Sequence, residues 1–287
     1  MIIQSPIAWL GDQLNRARLT VGSAPLDEYW PAGAAHPARP GVRRIGLDDL
    51  LVALSKGLED FAANRTDVLF LCVIYPVVGL VLASLASGYG VVPLLFPLAS
   101  GFALVGPLAA IGLNEMSRRR ETGAEVSWVD AFAVLRAPSI GAIAGLGLLL
   151  VAIFLLWLLA ALAIYDLTLG PKPPVSFAAF AHDVIGTGRG WIMIVLGIGV
   201  GFLFALLVLA ISVVSFPMLL DHNVSLETAI GTSIQAVRDN KWTMAIWGLI
   251  VAGGLVLGSL PLLLGLIVVM PVLGHATWHL YRRVVSQ

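Results

Sequence analysis

Long apolar runs constrain this chain more than any other feature. They fall at 67–87, 92–114, 138–165 and 191–220, and a still longer one covers 243–281. A helix rises about 1.5 Å per residue, so roughly 20 residues cross the hydrocarbon core of a bilayer. The run 243–281 is too long for one crossing. Gly258, Ser259 and Pro261 supply a break, dividing it into 243–259 and 261–281. The expected fold is therefore all-α, a polytopic membrane helix bundle of about six transmembrane helices. Composition agrees: 59% of residues are hydrophobic and 12% charged, against about 25% charged in soluble domains. Lipid must solvate the excess apolar surface.

The basic residues orient the bundle. With the N-terminus inside, the cytoplasmic segments hold Arg16, Arg18, Arg39, Arg43, Arg44, Lys56, Arg65, Arg118, Arg119, Arg120, Arg136, Arg238, Lys241, Arg282 and Arg283. The outer segments hold only Lys172 and Arg189. This asymmetry predicts both termini in the cytoplasm of a bacterial inner membrane, and no cleavable signal peptide is expected over Met1 to Leu19. Formal net charge is +0, so no global field favours nucleic acid. The one cysteine, Cys72, excludes an intrachain disulfide and a cysteine-based zinc or iron–sulfur site.

Residues 1–44 form a tail and linker ahead of a membrane domain at 45–287. Ile3, Ile7, Leu10 and Leu14 recur at helical spacing beside Trp9. A helix lying on the membrane and a loosely ordered tail both fit them. Pro25, Pro31, Pro37 and Pro40 mark an extended linker.

An internal repeat is expected. Pro97, Pro107 and Arg118-Arg119 recur at the same offsets as Pro261, Pro271 and Arg282-Arg283, with Pro217 matching Pro107 and Pro271. A polar segment with an apolar stripe precedes each pair of spans. The three stripes are Leu47, Leu50, Leu54, Leu58, Phe61; Val126, Val129, Phe132; and Leu226, Ile230, Ile234, Val237. Ser127 with Asp130 reads as a capping box, and Ser225 is placed to cap the third segment. The unit is an interfacial amphipathic helix plus two transmembrane helices, three times over. Gly141 with Gly145, Gly197 with Gly201, and Gly254 with Gly258 are small-residue seams suited to intramolecular helix packing.

Several stretches resemble a bacterial, mainly proteobacterial, family of predicted six-helix integral membrane proteins, filed as domain of unknown function number twenty-one eighty-nine. They are Val42-Arg43-Arg44-Ile45, Asp67-Val68-Leu69-Phe70-Leu71, Tyr75-Pro76-Val77-Val78-Gly79-Leu80, Ser215-Phe216-Pro217-Met218-Leu219-Leu220-Asp221 and Pro271-Val272-Leu273-Gly274-His275-Ala276-Thr277-Trp278-His279-Leu280-Tyr281-Arg282. The resemblance spans about 42–285 and implies a membrane location without an established activity. Some members look to be labelled cytochrome oxidase subunits. The length and the few intramembrane histidines of this chain do not suit a haem–copper core.

Ionisable groups within spans are costly and require a reason. His275 and His279 share a helix face. Aligning the repeats on their prolines places Asp221 opposite His275 and Glu115 opposite His279, with His222 following. These five form the candidate metal cluster, and imidazoles with carboxylates suit a divalent transition metal or a proton relay. The alternative is a set of structural side chains bonding neighbouring helices at interfacial depth. Trp278, Tyr281 and Trp242 are expected in an aromatic belt on the inner face, and Trp191 on the outer. Residues 167–190 read as a short interfacial helix and a turn, either connector or lid.

No phosphate loop, nucleophile elbow, metalloprotease helix or Rossmann fingerprint occurs. The expected function is that of a non-enzymatic accessory or assembly factor of a membrane complex, a respiratory complex being one candidate. Its partners are the lipid bilayer and another membrane protein, and no cofactor is called. A small-solute transporter or channel is the alternative, and a metal-dependent membrane enzyme the third.

Overall fold

A computed structural model describes residues 40–63, 92–172, 174–261 and 263–286, with the side chains of 102 and 103 left aside. The expected span 67–87 and most of the N-terminal tail lie outside the described residues. The helices are α1 (Leu47–Ala63), α2 (Leu95–Ala109), α3 (Ile111–Glu121), α4 (Ile140–Thr168), α5 (Phe177–Gly186) and α6 (Gly188–Ser212). They continue with α7 (Ser215–Asp221), α8 (Leu226–Asp239), α9 (Lys241–Ser259) and α10 (Leu266–Val284). Short 3-10 segments occupy Val92–Leu94 and Trp128–Arg136. Among the described residues the fold is an all-helical membrane bundle, with one antiparallel bridge between Val42 and Val285.

Three helical stretches are long and apolar enough to cross a membrane: Ile140–Thr168, Gly188–Asp221 and Lys241–Ser259. They match the expected spans 138–165, 191–220 and 243–259. Outward positions such as Leu148, Leu155 and Leu159 on α4 and Phe202 and Leu203 on α6 are exposed large hydrophobics. Acyl chains are the solvent that suits them.

The remaining two described spans are shaped by proline and glycine. Run 92–114 is interrupted at Ala110, between α2 and the polar α3. The chain beyond Ser259 turns through Leu263, at φ 68°, before α10 starts at Leu266. α10 therefore runs later than the expected 261–281. Gly258 permits the turn: a Cβ there would lie 2.9 Å from Leu266 Cδ2 and 3.2 Å from the Gly265 carbonyl carbon. In α6–α7 the helix breaks at Val213-Val214, ahead of Pro217, whose missing N–H leaves the Val213 carbonyl without its helical donor. The buried Val214 N–H at this break donates to Ser233 Oγ of α8 at 3.2 Å.

Each amphipathic segment packs at the polar end of the bundle. α1 lies along α10, the 3-10 segment lies on α3, and α8 packs on α6 and α7. Ser225 caps α8 by accepting the Thr228 N–H at 3.2 Å. Asp130 reaches back to the Ser127 N–H at 2.8 Å. The second segment is 3-10 rather than α-helical, and its Val129, Phe132 and Leu135 stand exposed.

The stripe expected on α1 needs correction. The buried positions are Leu50, Ala53, Gly57, Asp60 and Phe61, whereas Leu47, Leu51 and Leu58 point outward. Small residues win the inner face because they let two helix backbones approach closely.

The segment before α1 is fastened at both sides. Arg43 N–H donates to the Val284 carbonyl at 2.7 Å, and Ser286 N–H to that of Gly41 at 2.8 Å. Asn240, between α8 and α9, accepts the Ile45 N–H at 2.7 Å and donates to the Arg43 carbonyl at 3.0 Å. Asn240→Ala removes both bonds from these half-buried backbone groups, at a cost of about 1 kcal/mol. Limited proteolysis should then cut the 40–46 segment faster than in the unaltered chain; an unchanged cutting rate would contradict the clamp.

A buried polar network at the convergence of three helices

Helices α3, α7 and α10 come together at one end of the bundle, and α1 closes over α10. α10 is the hub. Its C-terminal half buries Gly274, His275, Ala276, Trp278, His279, Leu280 and Tyr281. Gly274 permits contact with α3, because a Cβ there would meet Leu113 Cδ1 at 2.7 Å.

At the centre lies Asp60 of α1, which is 6% exposed. Its Oδ2 accepts Ser117 Oγ at 2.6 Å and stands 2.8 Å from His279 Nε2. Its Oδ1 is 3.0 Å from Arg120 Nη1. Ser117 Oγ in turn lies 2.8 Å from His275 Nδ1. Since Ser117 gives its proton to the carboxylate, it must accept from His275, which puts the proton on Nδ1 and leaves Nε2 bare. That Nε2 is buried and has no hydrogen-bond partner among the described residues, and the same holds for Asn114 Oδ1 on α3. Burial opposes ionisation of Asp60, but the bonds from His279 and Ser117 outweigh it and hold the carboxyl below its ordinary value.

The other candidate residues go elsewhere. Asp221 accepts from Tyr281 Oη at 2.7 Å and lies 3.4 Å from Arg282 Nη1. His222 Nε2 stands 3.5 Å from Asp221 Oδ2. Glu115 is clamped by Arg118 and Arg119 at 2.7 and 2.8 Å. Burial resists ionisation of Glu115 too, yet the two guanidiniums keep its carboxyl below the usual range. Arg119 continues to Asp130 of the 3-10 segment.

The expected meeting of Asp221 with His275, and of Glu115 with His279, is therefore replaced. Each histidine finds its partner on a different element, Ser117 of α3 or Asp60 of α1. His275, His279, Asp221, His222 and Glu115 do not form one cluster. Among the described residues no three His, Cys, Asp or Glu side chains come together as a metal-holding group. Sequence reading missed Asp60 and Ser117. A signal for Asp60 was present: it shares a helix face with Leu50, Ala53 and Gly57, where a carboxylate must find a partner or remain in water.

The aromatic belt also needs revision. Trp278 and Tyr281 are each 1% exposed, and Trp278 Nε1 donates to Glu121 Oε2 at 3.0 Å. Of the inner set only Trp242 faces outward, at 85% exposure. At the opposite end Trp191 is exposed, and α5, capped by Ser176, packs on α6 as a short interfacial helix.

The arrangement resembles a keystone. Carboxylates from α1, α3 and α7 engage arginine, histidine, tyrosine and tryptophan of α3 and α10, and the ties join elements distant in sequence. No curated protein and no solved structure matches the chain. Residues 94–221 match the family model described as Predicted integral membrane protein (DUF2189); over that segment the chain is similar to this domain of unknown function, and it is an integral membrane protein.

Proposed function

We propose that this chain is a non-enzymatic accessory or assembly protein of a larger membrane complex. One observation carries the reading: the acidic side chains of the polar network are engaged by the chain's own side chains, Glu115 within α3 and Asp60 and Asp221 across helices. Catalysis needs a group free to change partners with substrate; here the carboxylates hold the bundle together.

The basic asymmetry supports a multi-pass arrangement in the bacterial inner membrane, with both termini cytoplasmic. The packing supports a threefold repeat. The 3-10 segment rests on the helix that ends the first unit, α8 on the helices that end the second, and α1 on the helix that ends the third. Each amphipathic segment thus docks on the preceding unit, and α1 closes the ring. The apolar outer rows of α1 and the 3-10 segment suit a partner or the membrane surface.

Purification of a tagged, full-length chain in mild detergent is expected to bring down a defined membrane protein at fixed stoichiometry. A pure, solitary chain from the native membrane would count strongly against the assembly role. A small-solute transporter coupled to protons is the second reading, favoured by the bare His275 Nε2 and Asn114 Oδ1 beside proline-broken helices. Proton flux in proteoliposomes that is lost in His275→Ala would favour it over assembly. A metal-dependent enzyme, the third reading, predicts stoichiometric bound metal by elemental analysis of the purified chain.

A further inference from the structure

At one corner of the polar end, four exposed cations have no side-chain partner among the described residues: Arg43, Arg44, Arg238 and Lys241. They come from two parts of the chain, nearly 200 residues apart, that the Asn240 clamp brings together. Asn240 donates to the Arg43 carbonyl at 3.0 Å, and Thr243 Oγ1 donates to the Ile45 carbonyl at 2.9 Å. The Arg43-Arg44 backbone is thereby seated against the joint between α8 and α9. The neighbouring carboxylates are Asp239, 3.4 Å from Gln235 Nε2, and Asp48 and Asp49 in the first turn of α1, of which Asp49 lies 3.5 Å from Arg283. Four cations less Asp239 and Asp48 leave a net excess of two positive charges.

Depth and shape narrow the partner. Lys241 opens α9, a helix long and apolar enough to span, so the patch lies where apolar helix meets polar loop. Trp242, 85% exposed beside Lys241, marks that same boundary. From Trp242 an outward row continues at helical spacing through Leu249 and Val256, 70% and 62% exposed. Cations therefore sit above an apolar row of acyl-chain character. An acidic protein segment would match the cations and leave the row uncovered. An anionic phospholipid satisfies both, because guanidinium groups grip phosphate in a fork while the chains follow the row.

We propose that Arg43, Arg44, Arg238 and Lys241 bind the headgroup of an anionic phospholipid, with an acyl chain laid along Trp242, Leu249 and Val256. The site stands independently of the assembly reading. Basic residues near a membrane surface each contribute about fivefold to binding of anionic lipid.

Native mass spectrometry of the full-length chain, released from mixed micelles of phosphatidylglycerol and phosphatidylcholine, tests the site. The chain should retain phosphatidylglycerol preferentially. R43Q/R44Q/K241Q should lower that retention about tenfold or more. R43K/R44K/K241R, which keeps the charge but gives up the forked grip at two positions, should lower it less than the glutamine variant, and Arg136→Gln, outside the patch, should leave it unchanged. Equal retention of both lipids, or an unaltered preference in R43Q/R44Q/K241Q, would overturn the proposal. So would full displacement of phosphatidylglycerol by inorganic phosphate, which indicates a bare anion site, or by a poly-glutamate peptide, which indicates an acidic protein partner. Should the glutamine variant not fold, salt decides: retention of phosphatidylglycerol must fall with rising ionic strength, and indifference to salt refutes the site.

Discussion

Asp60→Asn should destabilise the folded chain by about 3–5 kcal/mol, the range for breaking a buried charged pair. The native carboxylate accepts from Ser117 and His279 on Oδ2 and from Arg120 on Oδ1. An amide of the same shape offers one oxygen and turns its NH2 toward groups that are themselves donors. The loss falls on α1, α3 and α10 together, since Asp60 joins all three. Equilibrium unfolding of purified protein in mild detergent with a graded denaturant would measure it, and a change under about 1 kcal/mol would show the network to be incidental. The pH dependence has a defined sign. The Asp60 carboxyl is held below its ordinary 3.8, so its contribution is complete above that value. It is lost as pH falls through the depressed pKa, and in Asp60→Asn that acid-side loss should be absent.

Gly57→Val should lift α1 from α10. A Cβ at Gly57 would lie 2.7 Å from both Ala276 Cβ and Ala276 N, and 2.8 Å from Ala276 Cα. Two of these atoms are backbone of a central helix, so no side-chain rotation relieves the clash. Overpacking in cores costs about 1–3 kcal/mol when side chains can adjust, and here the cost should reach or exceed the top of that range. Moving α1 also withdraws Asp60 from His279, so Gly57→Val and Asp60→Asn should be far from additive. Amide hydrogen exchange along α1 would report the lift and should rise in Gly57→Val. Unchanged exchange there would refute the packing described for α1.

Where the physics was one-dimensional, the sequence reading held. An apolar run of sufficient length needs no knowledge of its neighbours, so α4, α6–α7 and α9 emerge close to their expected bounds. The break near Gly258-Ser259 follows from backbone chemistry alone, as do the Ser225 cap and the Asp130 turn. Partner choice was not legible in this way. The proline register set His275 against Asp221 and His279 against Glu115, but arginines within a turn of Glu115 captured it first. Tyr281 and Arg282 engaged Asp221.

Amino-acid order by itself determined the membrane class, the helical runs, their breaks and the concentration of cations at one end, because hydropathy and backbone propensity act locally. Tertiary packing alone decided that Asp60 would face α10, that Trp278 and Tyr281 would be buried, and that Arg43 would lie beside Lys241. Those outcomes depend on which backbones approach closely enough to exclude competing partners. Small residues such as Gly57 and Gly274 set that approach, and their effect is felt only once the facing helix is in place.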